Sequence, residues 1–247
     1  MGGFKIINVI VSVIISLYSA TPLSAQKQGN QWCFGDSAGV DWTDPQNPQF
    51  FVSSSEYRGS CASISDNVGN LLFYCANRIS DGSICSTTKM NHIYNRYHEV
   101  MEDGACLPGN GWFNEHTIIP APSSDSLFYV FSVDMRFSLS YNVIDISVNQ
   151  GLGKVIERDH QLVAFAEGSH FVTSITTVKH GNGRDWWVIA KSGGGAVYNG
   201  DLPLQYYIFL VTPSGVFTTY RAAEGSYISN IVQLLFNHQG KILFDRF

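Results

Sequence analysis

Glu115 and His116 are adjacent residues whose side chains could together perform general acid–base chemistry. They follow a loop that contains Trp112, an aromatic residue that could stack on a sugar or a peptide, or close the edge of a sheet. Other polar and aromatic residues occupy connections of the same kind and are expected on the same side of the fold. The candidate ligand-binding residues are Glu56, Arg58, Trp112, Glu115, His116, Glu167, His170, Glu224 and Tyr227. The alternative is that they are solvated loop residues, and no catalytic residue is assigned.

The seven histidines form no recognisable metal-binding motif. The sequence has no H-E-x-x-H or H-x-H pattern and no Cys-x-x-Cys pair. His180 and Asn237 occupy the position that Asp66 has in equivalent turns, which favours a role in the turn. We therefore expect no metal ion and no cofactor.

The elements that must position these residues are β-hairpins that recur along the chain. Each joins an apolar strand to a second one through a turn rich in Gly, Asn, Asp and Ser, which are turn-forming residues. The hairpins begin at Cys61, Thr117, Ile175 and Ile231. Leu72, Phe128, Trp186 and Leu243 occupy the same place after the turn, at steps of 56, 58 and 57 residues.

Two further strands follow the second and third hairpins, so each repeat of about 57 residues has four antiparallel strands. This predicts an all-β, β-propeller-like fold, because a propeller blade is a four-stranded antiparallel sheet. The chain contains about three and a half such blades, and we expect it to be a partial propeller. In the alternative, a c strand within residues 31–42 and a d strand at residues 49–54 pair with the last hairpin and close a four-bladed ring.

The five cysteines are assigned from the same repeat. Cys33 and Cys61 fall on strands, where a thiol behaves as a small buried apolar group. Cys75, Cys85 and Cys106 all belong to the first blade, so any disulfide is predicted to join two of these three. The odd number leaves at least one thiol free.

Composition excludes some classes of function. The formal net charge is −5 and no run of Lys and Arg occurs, which argues against nucleic-acid binding. Only 14% of residues are charged and 23 are glycine, which favours strands and turns over surface helices.

The N-terminus has the layout of a secretory signal peptide. Lys5 precedes an apolar run at residues 6–17, and small residues lead to Ala25. The run is short for a membrane span. We therefore predict a signal peptide at residues 1–25 and a partial β-propeller domain at residues 26–247 that is secreted, periplasmic or on the cell surface and has no membrane span after cleavage.

Several motifs stand out along the chain: WCFG at 32–35, AGVDW at 38–42, CASISD at 61–66, GNLLFY at 69–74, NRYHEVM at 95–101, LSY at 139–141, GLG at 151–153 and KHGNGRDWW at 179–187. Together they resemble the N-terminal propeller-like region of large secreted Bacteroidetes proteins of the gliding-motility or type IX secretion kind. The resemblance covers residues 30–247 and implies a structural role, with no chemistry to transfer. Unlike those proteins, this chain lacks their C-terminal sorting domain and is richer in cysteine.

The expected function is that of an exported, non-catalytic module that binds a protein or a glycan or serves as a scaffold. Two alternatives stay open: a propeller hydrolase or lyase with a metal in its central channel, and a truncated remnant of a longer surface protein. Self-association is also expected if residues 242–244 form an open, apolar edge strand in the last blade.

Overall fold

A computed structural model describes residues 27–56, 60–78, 85, 89–109, 115–134, 138–164, 171–193, 204–224, 234–236 and 242–244. The fold is all-β, as predicted: these residues contain sixteen strands, two single turns of 3-10 helix and no α-helix. None of the described residues belongs to a helix long and apolar enough to cross a membrane. The predicted signal peptide lies outside the described residues.

The strands form antiparallel sheets in chain order. The first sheet contains β1 (Gln31–Phe34), β2 (Asp36–Asp41) and β3 (Gln49–Glu56), and the second contains β4 (Cys61–Ser65), β5 (Leu71–Asn77) and β6 (Asn91–Asn95). The third sheet contains β7 (His116–Pro120), β8 (Leu127–Asp134), β9 (Ser138–Asp145) and β10 (Lys154–Ala164). The fourth contains β11 (Phe171–Lys179), β12 (Trp186–Gly193), β13 (Leu204–Thr212) and β14 (Gly215–Glu224), and β15 (Leu234–Phe236) pairs with β16 (Ile242–Phe244) as a terminal hairpin.

The four predicted hairpins are all present, as β4–β5, β7–β8, β11–β12 and β15–β16. The turns of the first three are closed by local backbone hydrogen bonds, for example from Gly69 N to Asp66 O at 3.1 Å and from Gly183 N to His180 O at 2.9 Å. Both glycines have positive φ, +101° and +74°, which a residue with a Cβ adopts only with strain. The turn residues thus fixed the hairpin positions.

The closed four-bladed alternative is not formed, and one prediction about the strands is wrong. Residues 31–56 do not pair with the last hairpin but form a sheet of their own, and β15–β16 is a separate two-stranded sheet. The second sheet has three strands rather than four, because its chain beyond β6 makes only isolated bridges, Tyr94 to Val100 and Asn91 to Leu107. The third and fourth sheets have the predicted four strands.

Apolar side chains between consecutive sheets form the core. Phe73 of the second sheet and Phe128 of the third meet edge to face at 5.4 Å between ring centroids. Phe131 of the third sheet belongs to the next cluster, with Val188 and Phe209 of the fourth. Full burial of such a side chain contributes about 1.5–3 kcal/mol, so these interfaces hold neighbouring sheets together.

The first strands of consecutive sheets form a row. β1 contacts β4, β4 contacts β7, β7 contacts β11, and β11 contacts β15. Hydroxyl groups link members of this row: Ser63 Oγ donates to Gln31 O at 2.7 Å, and Thr117 Oγ1 lies 3.2 Å from Thr177 Oγ1. Each sheet therefore presents its first strand on the same side of the molecule.

The first sheet has one covered face and one exposed face. Its inner face packs Cys33 and Phe51 on Tyr74 and Tyr94 of the second sheet. We call the exposed residues on the other side the outer patch, which consists of Trp32, Phe34, Phe50 and Val52, exposed by 51%, 40%, 81% and 75%. Within the described part of the chain, no other sheet presents four such side chains together.

Candidate functional site

Of the nine predicted ligand-binding residues, the structure describes the side chains of three: Glu56, Glu115 and His116. Glu224 is described as the last residue of β14, without its side chain. The others lie outside the described residues: Arg58, Trp112, Glu167, His170 and Tyr227.

Glu56 lies at the end of β3 and is partly exposed. Its carboxylate pairs with Arg78 at 3.1 Å, and the two side chains are exposed by 40% and 39%. Exposed pairs of this kind contribute about 0–1 kcal/mol because water and salt screen them. Glu56 is accessible to a ligand but already has a partner.

Glu115 and His116 are buried, exposed by 0% and 3%. The Ser60 hydroxyl accepts hydrogen bonds from both backbone N–H groups, at 2.8 and 2.9 Å. The ring of His116 packs on Gly109, where a Cβ would lie 2.7 Å from Cε1. The pair thus connects the second and third sheets from the interior and does not project into solvent as loop residues would.

Burial lowers the pKa of His116 from 6.5 to about 4. Its Nε2 lies 2.8 Å from Asn77 Oδ1, so that nitrogen carries the proton and donates to the amide oxygen. The imidazole is neutral at pH 7. A neutral imidazole acts as a base through its unprotonated nitrogen, but Nδ1 of His116 is enclosed in the interior, which favours a structural role.

A cavity of about 500 Å³ lies where three hairpin turns meet. The β4–β5, β7–β8 and β11–β12 turns border it. We call it the turn cleft and define it by its base residues Leu72, Phe128 and Trp186 and its rim residues Asp66, Asn67, Ser124, Asp125, Lys179 and Arg184. Each of the second, third and fourth sheets contributes to both base and rim.

The base of the turn cleft is built from residues at the start of the second strand of three hairpins. Leu72, Phe128 and Trp186 are the residues that the sequence aligns after the turn, and all three line the same cavity. Phe128 is 4% exposed, whereas Leu72 and Trp186 are half-buried. Trp186 packs against the core between the third and fourth sheets and also lines the cleft, where Lys179 Nζ lies 5.1 Å from the ring centroid.

The rim carries charges of both signs. Burial would raise the pKa of the Asp66 carboxyl, but hydrogen bonds from Asn70 and Val68 outweigh it and lower that pKa. Asp66 is therefore ionised at neutral pH. On the opposite wall, Arg184 forms two hydrogen bonds with Asp185 at 2.7 and 3.2 Å, and Lys179 is exposed. The cleft offers an aromatic surface surrounded by hydrogen-bonding groups.

Sequence reasoning missed most of the turn cleft because it placed the ligand on the other connections. The turn residues were recognised only as turn formers, although several of them also line this cavity. The recurrence of Leu72, Phe128 and Trp186 was the signal that could have located the cavity.

A second cavity, of about 530 Å³, runs along the first strands of the first three sheets. Its lining includes Trp32 and Phe34 of β1, Ser63 of β4, and His116 and Thr117 of β7. The lining is mainly apolar and hydroxyl-bearing, without a carboxylate.

The structure joins Cys85 to Cys106 and leaves Cys33, Cys61 and Cys75 free. The disulfide thus uses two of the three predicted cysteines. His92 lies beside it, with Nε2 3.9 Å from Cys85 Sγ. No sequence motif predicted this contact, because Cys85 and Cys106 are 21 residues apart in the chain and come together beside His92 only in the folded protein.

No family model matches this chain, and no curated protein or solved structure matches it.

Proposed function

We propose that this chain is an exported, propeller-like binding module that holds a glycan in the turn cleft. The main observation behind the proposal is that three equivalent hairpins border one cavity, which has a half-buried tryptophan at its base. Proteins bind small ligands in concave sites of this size, lined by apolar and aromatic groups with a few polar ones.

The row of first strands supports the propeller-like arrangement. In a propeller, blades stack face to face around an axis, and the first strand of each blade lies nearest that axis. The order of contacts from β1 to β15 is the one this arrangement requires. Four sheets and a hairpin then make a partial propeller, with more blades than the sequence repeat indicated.

The turn cleft suits a sugar better than a purely apolar ligand. A sugar ring has a C–H face that packs on an aromatic ring and hydroxyl groups that both donate and accept hydrogen bonds. Trp186 supplies the aromatic surface, and Asn67, Ser124 and Asp125 supply polar groups around it. Asp125 is exposed and makes no hydrogen bond within the described residues, so it is available to sugar hydroxyls.

Export is supported by the disulfide. Cys85–Cys106 forms readily in an oxidising compartment and rarely persists in a reducing cytosol. Together with the signal-peptide layout of residues 1–25, this favours secretion or a periplasmic or cell-surface location. The resemblance to the propeller-like regions of secreted Bacteroidetes proteins points the same way.

The catalytic alternative has less support. A metal in a central channel requires His, Asp or Glu on equivalent first strands. Among the described first strands, only β7 carries such a residue, His116, and hydroxyl groups such as those of Ser63 and Thr117 interact between neighbouring first strands. The glycan proposal requires no reaction.

The test is glycan binding by the purified chain, first on an array and then by calorimetry with the best-bound sugar. Trp186→Ala is expected to weaken binding at least about tenfold, since tryptophans at the centre of a site commonly supply that much. Trp32→Ala is the matched control, because it removes an exposed tryptophan outside the turn cleft. The proposal fails if no glycan binds, or if both variants retain wild-type affinity.

A second candidate function is protein binding through the outer patch. Four large exposed apolar side chains on one sheet face form the kind of surface that contacts other proteins. The double variant Phe50→Ser, Val52→Ser should then abolish partner capture or self-association in sedimentation, whereas Trp186→Ala should not. Association through the last hairpin stays a separate proposal, because the side chains of Ile242–Phe244 lie outside the described residues.

A further inference from the structure

The two sulfurs of the Cys85–Cys106 disulfide and the imidazole of His92 form a compact group. One ligand atom from each residue lies within 4.8 Å of the other two. His92 is 6% exposed, whereas the two cysteines are half-buried and therefore accessible to small molecules. Neither the disulfide nor the turn cleft explains why a buried imidazole points at the sulfurs.

The orientation of His92 is fixed by its other nitrogen. Nδ1 lies 3.1 Å from Met90 O, and a carbonyl oxygen only accepts, so Nδ1 carries the proton and donates it. Nε2 then presents a lone pair toward Cys85 Sγ, 3.9 Å away. A histidine held through one nitrogen by a backbone carbonyl is the usual arrangement of a metal-ligating imidazole.

Backbone pairing holds Cys106 beside the same strand. Leu107 N donates to Asn91 O at 2.9 Å, and Ile93 N donates to Gly104 O at 2.8 Å. These bonds do not involve the sulfurs, so they persist when the disulfide is opened. The positions of His92 and Cys106 are therefore maintained by β6 and its neighbouring segment.

We propose that reduction of the Cys85–Cys106 disulfide creates a binding site for a thiophilic divalent cation, Zn²⁺ above all, with Cys85 Sγ, Cys106 Sγ and His92 Nε2 as ligands. The disulfide state is the metal-free form, and the oxidation state of the cysteines gates metal binding. Two cysteines and one histidine are a common set of three protein ligands for zinc, with the fourth position left to water.

The distances are compatible with a tetrahedral ion. Zn–S bonds of about 2.3 Å and Zn–N bonds of about 2.0 Å place sulfur and nitrogen about 3.6 Å apart and two sulfurs about 3.8 Å apart. The Sγ–Nε2 distance of 3.9 Å is close to the first value. The Cα atoms of the two cysteines are 5.2 Å apart, so rotation of the side chains can separate the sulfurs after reduction.

The chemistry balances with an external reductant of the thiol or phosphine class. Two electrons and two protons convert the S–S bond into two thiols. A thiol reductant supplies them and becomes a disulfide, whereas a phosphine supplies the electrons and becomes a phosphine oxide, with the oxygen and both protons taken from water. Binding of the cation releases both thiol protons to solvent and forms two metal–sulfur bonds and one metal–nitrogen bond. His92 contributes its lone pair without losing a proton.

The test compares oxidised and phosphine-reduced full-length chain in a titration with Co²⁺, whose thiolate complexes have a charge-transfer absorption. Reduced protein is expected to bind about one Co²⁺ per chain, and Zn²⁺ should displace it. Oxidised protein should show no such band. This comparison is internally controlled, because Cys33, Cys61 and Cys75 are free thiols in both forms.

Variants assign the ligands. In reduced protein, Cys85→Ser, Cys106→Ser and His92→Gln should each weaken Co²⁺ binding at least about tenfold, whereas Cys61→Ser and the exposed His160→Gln should not. The oxidised-versus-reduced comparison needs no variant and decides the question if one of them misfolds. The proposal is overturned if the reduced chain binds no Co²⁺, if the oxidised chain binds it equally, or if Cys85→Ser retains wild-type affinity.

Discussion

His116 and Asn77 belong to different sheets and meet through one buried hydrogen bond, with 2.8 Å between Nε2 and Oδ1. His116 opens β7 of the third sheet, and Asn77 closes β5 of the second. The bond joins two sheets in the interior, where both side chains are buried. Because the imidazole is buried in its neutral form, this contact makes the stability of the protein depend on pH.

The first prediction follows from the lowered pKa of His116. The unfolded chain binds the histidine proton near pH 6.5, whereas the folded chain binds it only near pH 4. Above pH 6.5 the imidazole is neutral in both states, so the free energy of unfolding keeps its full value. As the pH falls from 6.5 toward 4, only the unfolded chain takes up the proton, so the free energy of unfolding decreases. The decrease is on the order of 3 kcal/mol.

Urea denaturation between about pH 7 and about pH 4.5 measures this effect. The variant His116→Gln can retain a hydrogen bond to Asn77 but cannot take up a proton, so it should show a smaller loss of stability over that range than wild type. Phe50→Ala, which removes an exposed side chain that does not titrate, should keep the pH dependence of wild type. Equal pH dependence in wild type and His116→Gln would contradict the prediction.

A second prediction compares the equivalent turns of two hairpins. The Asp66 carboxylate accepts hydrogen bonds from Val68 N and Asn70 N, each at 2.9 Å, and from the Asn70 side chain at 3.0 Å. Asp66→Ala should therefore lower the free energy of unfolding by about 1–2 kcal/mol. Asp125→Ala, in the next turn, should change it by less than about 0.5 kcal/mol, because Asp125 is exposed and has no such bonds in the described structure. Thermal denaturation in which the two variants coincide would refute this account of the turn.

The third prediction concerns the reactivity of the free thiols. Burial raises the pKa of Cys33 to about 12, and the nearby Cys61 adds a smaller increase. Burial also raises the pKa of Cys61 to about 11 and raises the pKa of Cys75 further still. Thiolates are the reactive form, so all three should resist alkylation near pH 8 in the native protein and react in denaturant. Peptide mapping of alkylated protein without reductant should also find Cys85 linked to Cys106. Rapid labelling of Cys75 in the native state would contradict the structure.

The fourth prediction contrasts two phenylalanines. Phe73 is fully buried between the second and third sheets, whereas Phe50 is 81% exposed in the outer patch. Phe73→Ala should cost about 3–5 kcal/mol through loss of packing and formation of a cavity. Phe50→Ala should change stability by less than about 0.5 kcal/mol. A large loss of stability in Phe50→Ala would mean that the outer patch is covered within the folded chain.

Local sequence determined the strands and their turns. The turns at Asp66, Ser124 and Gly183 lie where glycine and short polar residues interrupt apolar runs, because these residues tolerate turn geometry and apolar runs favour pairing in sheets. The same local signals indicated an all-β fold, and strand placement put Cys33 and Cys61 on β1 and β4.

Tertiary structure decided which strands pair and which side chains meet. The sequence left open whether residues 31–56 pair with the last hairpin, because a strand carries no local record of its partner and pairing depends on contacts far along the chain. Glu115 and His116 proved buried for the same reason, since their burial depends on Ser60, Asn77 and Gly109. The meeting of His92 with Cys85 and the closure of the turn cleft likewise arise only when consecutive sheets pack, because no spacing in the sequence encodes a distance across a sheet interface.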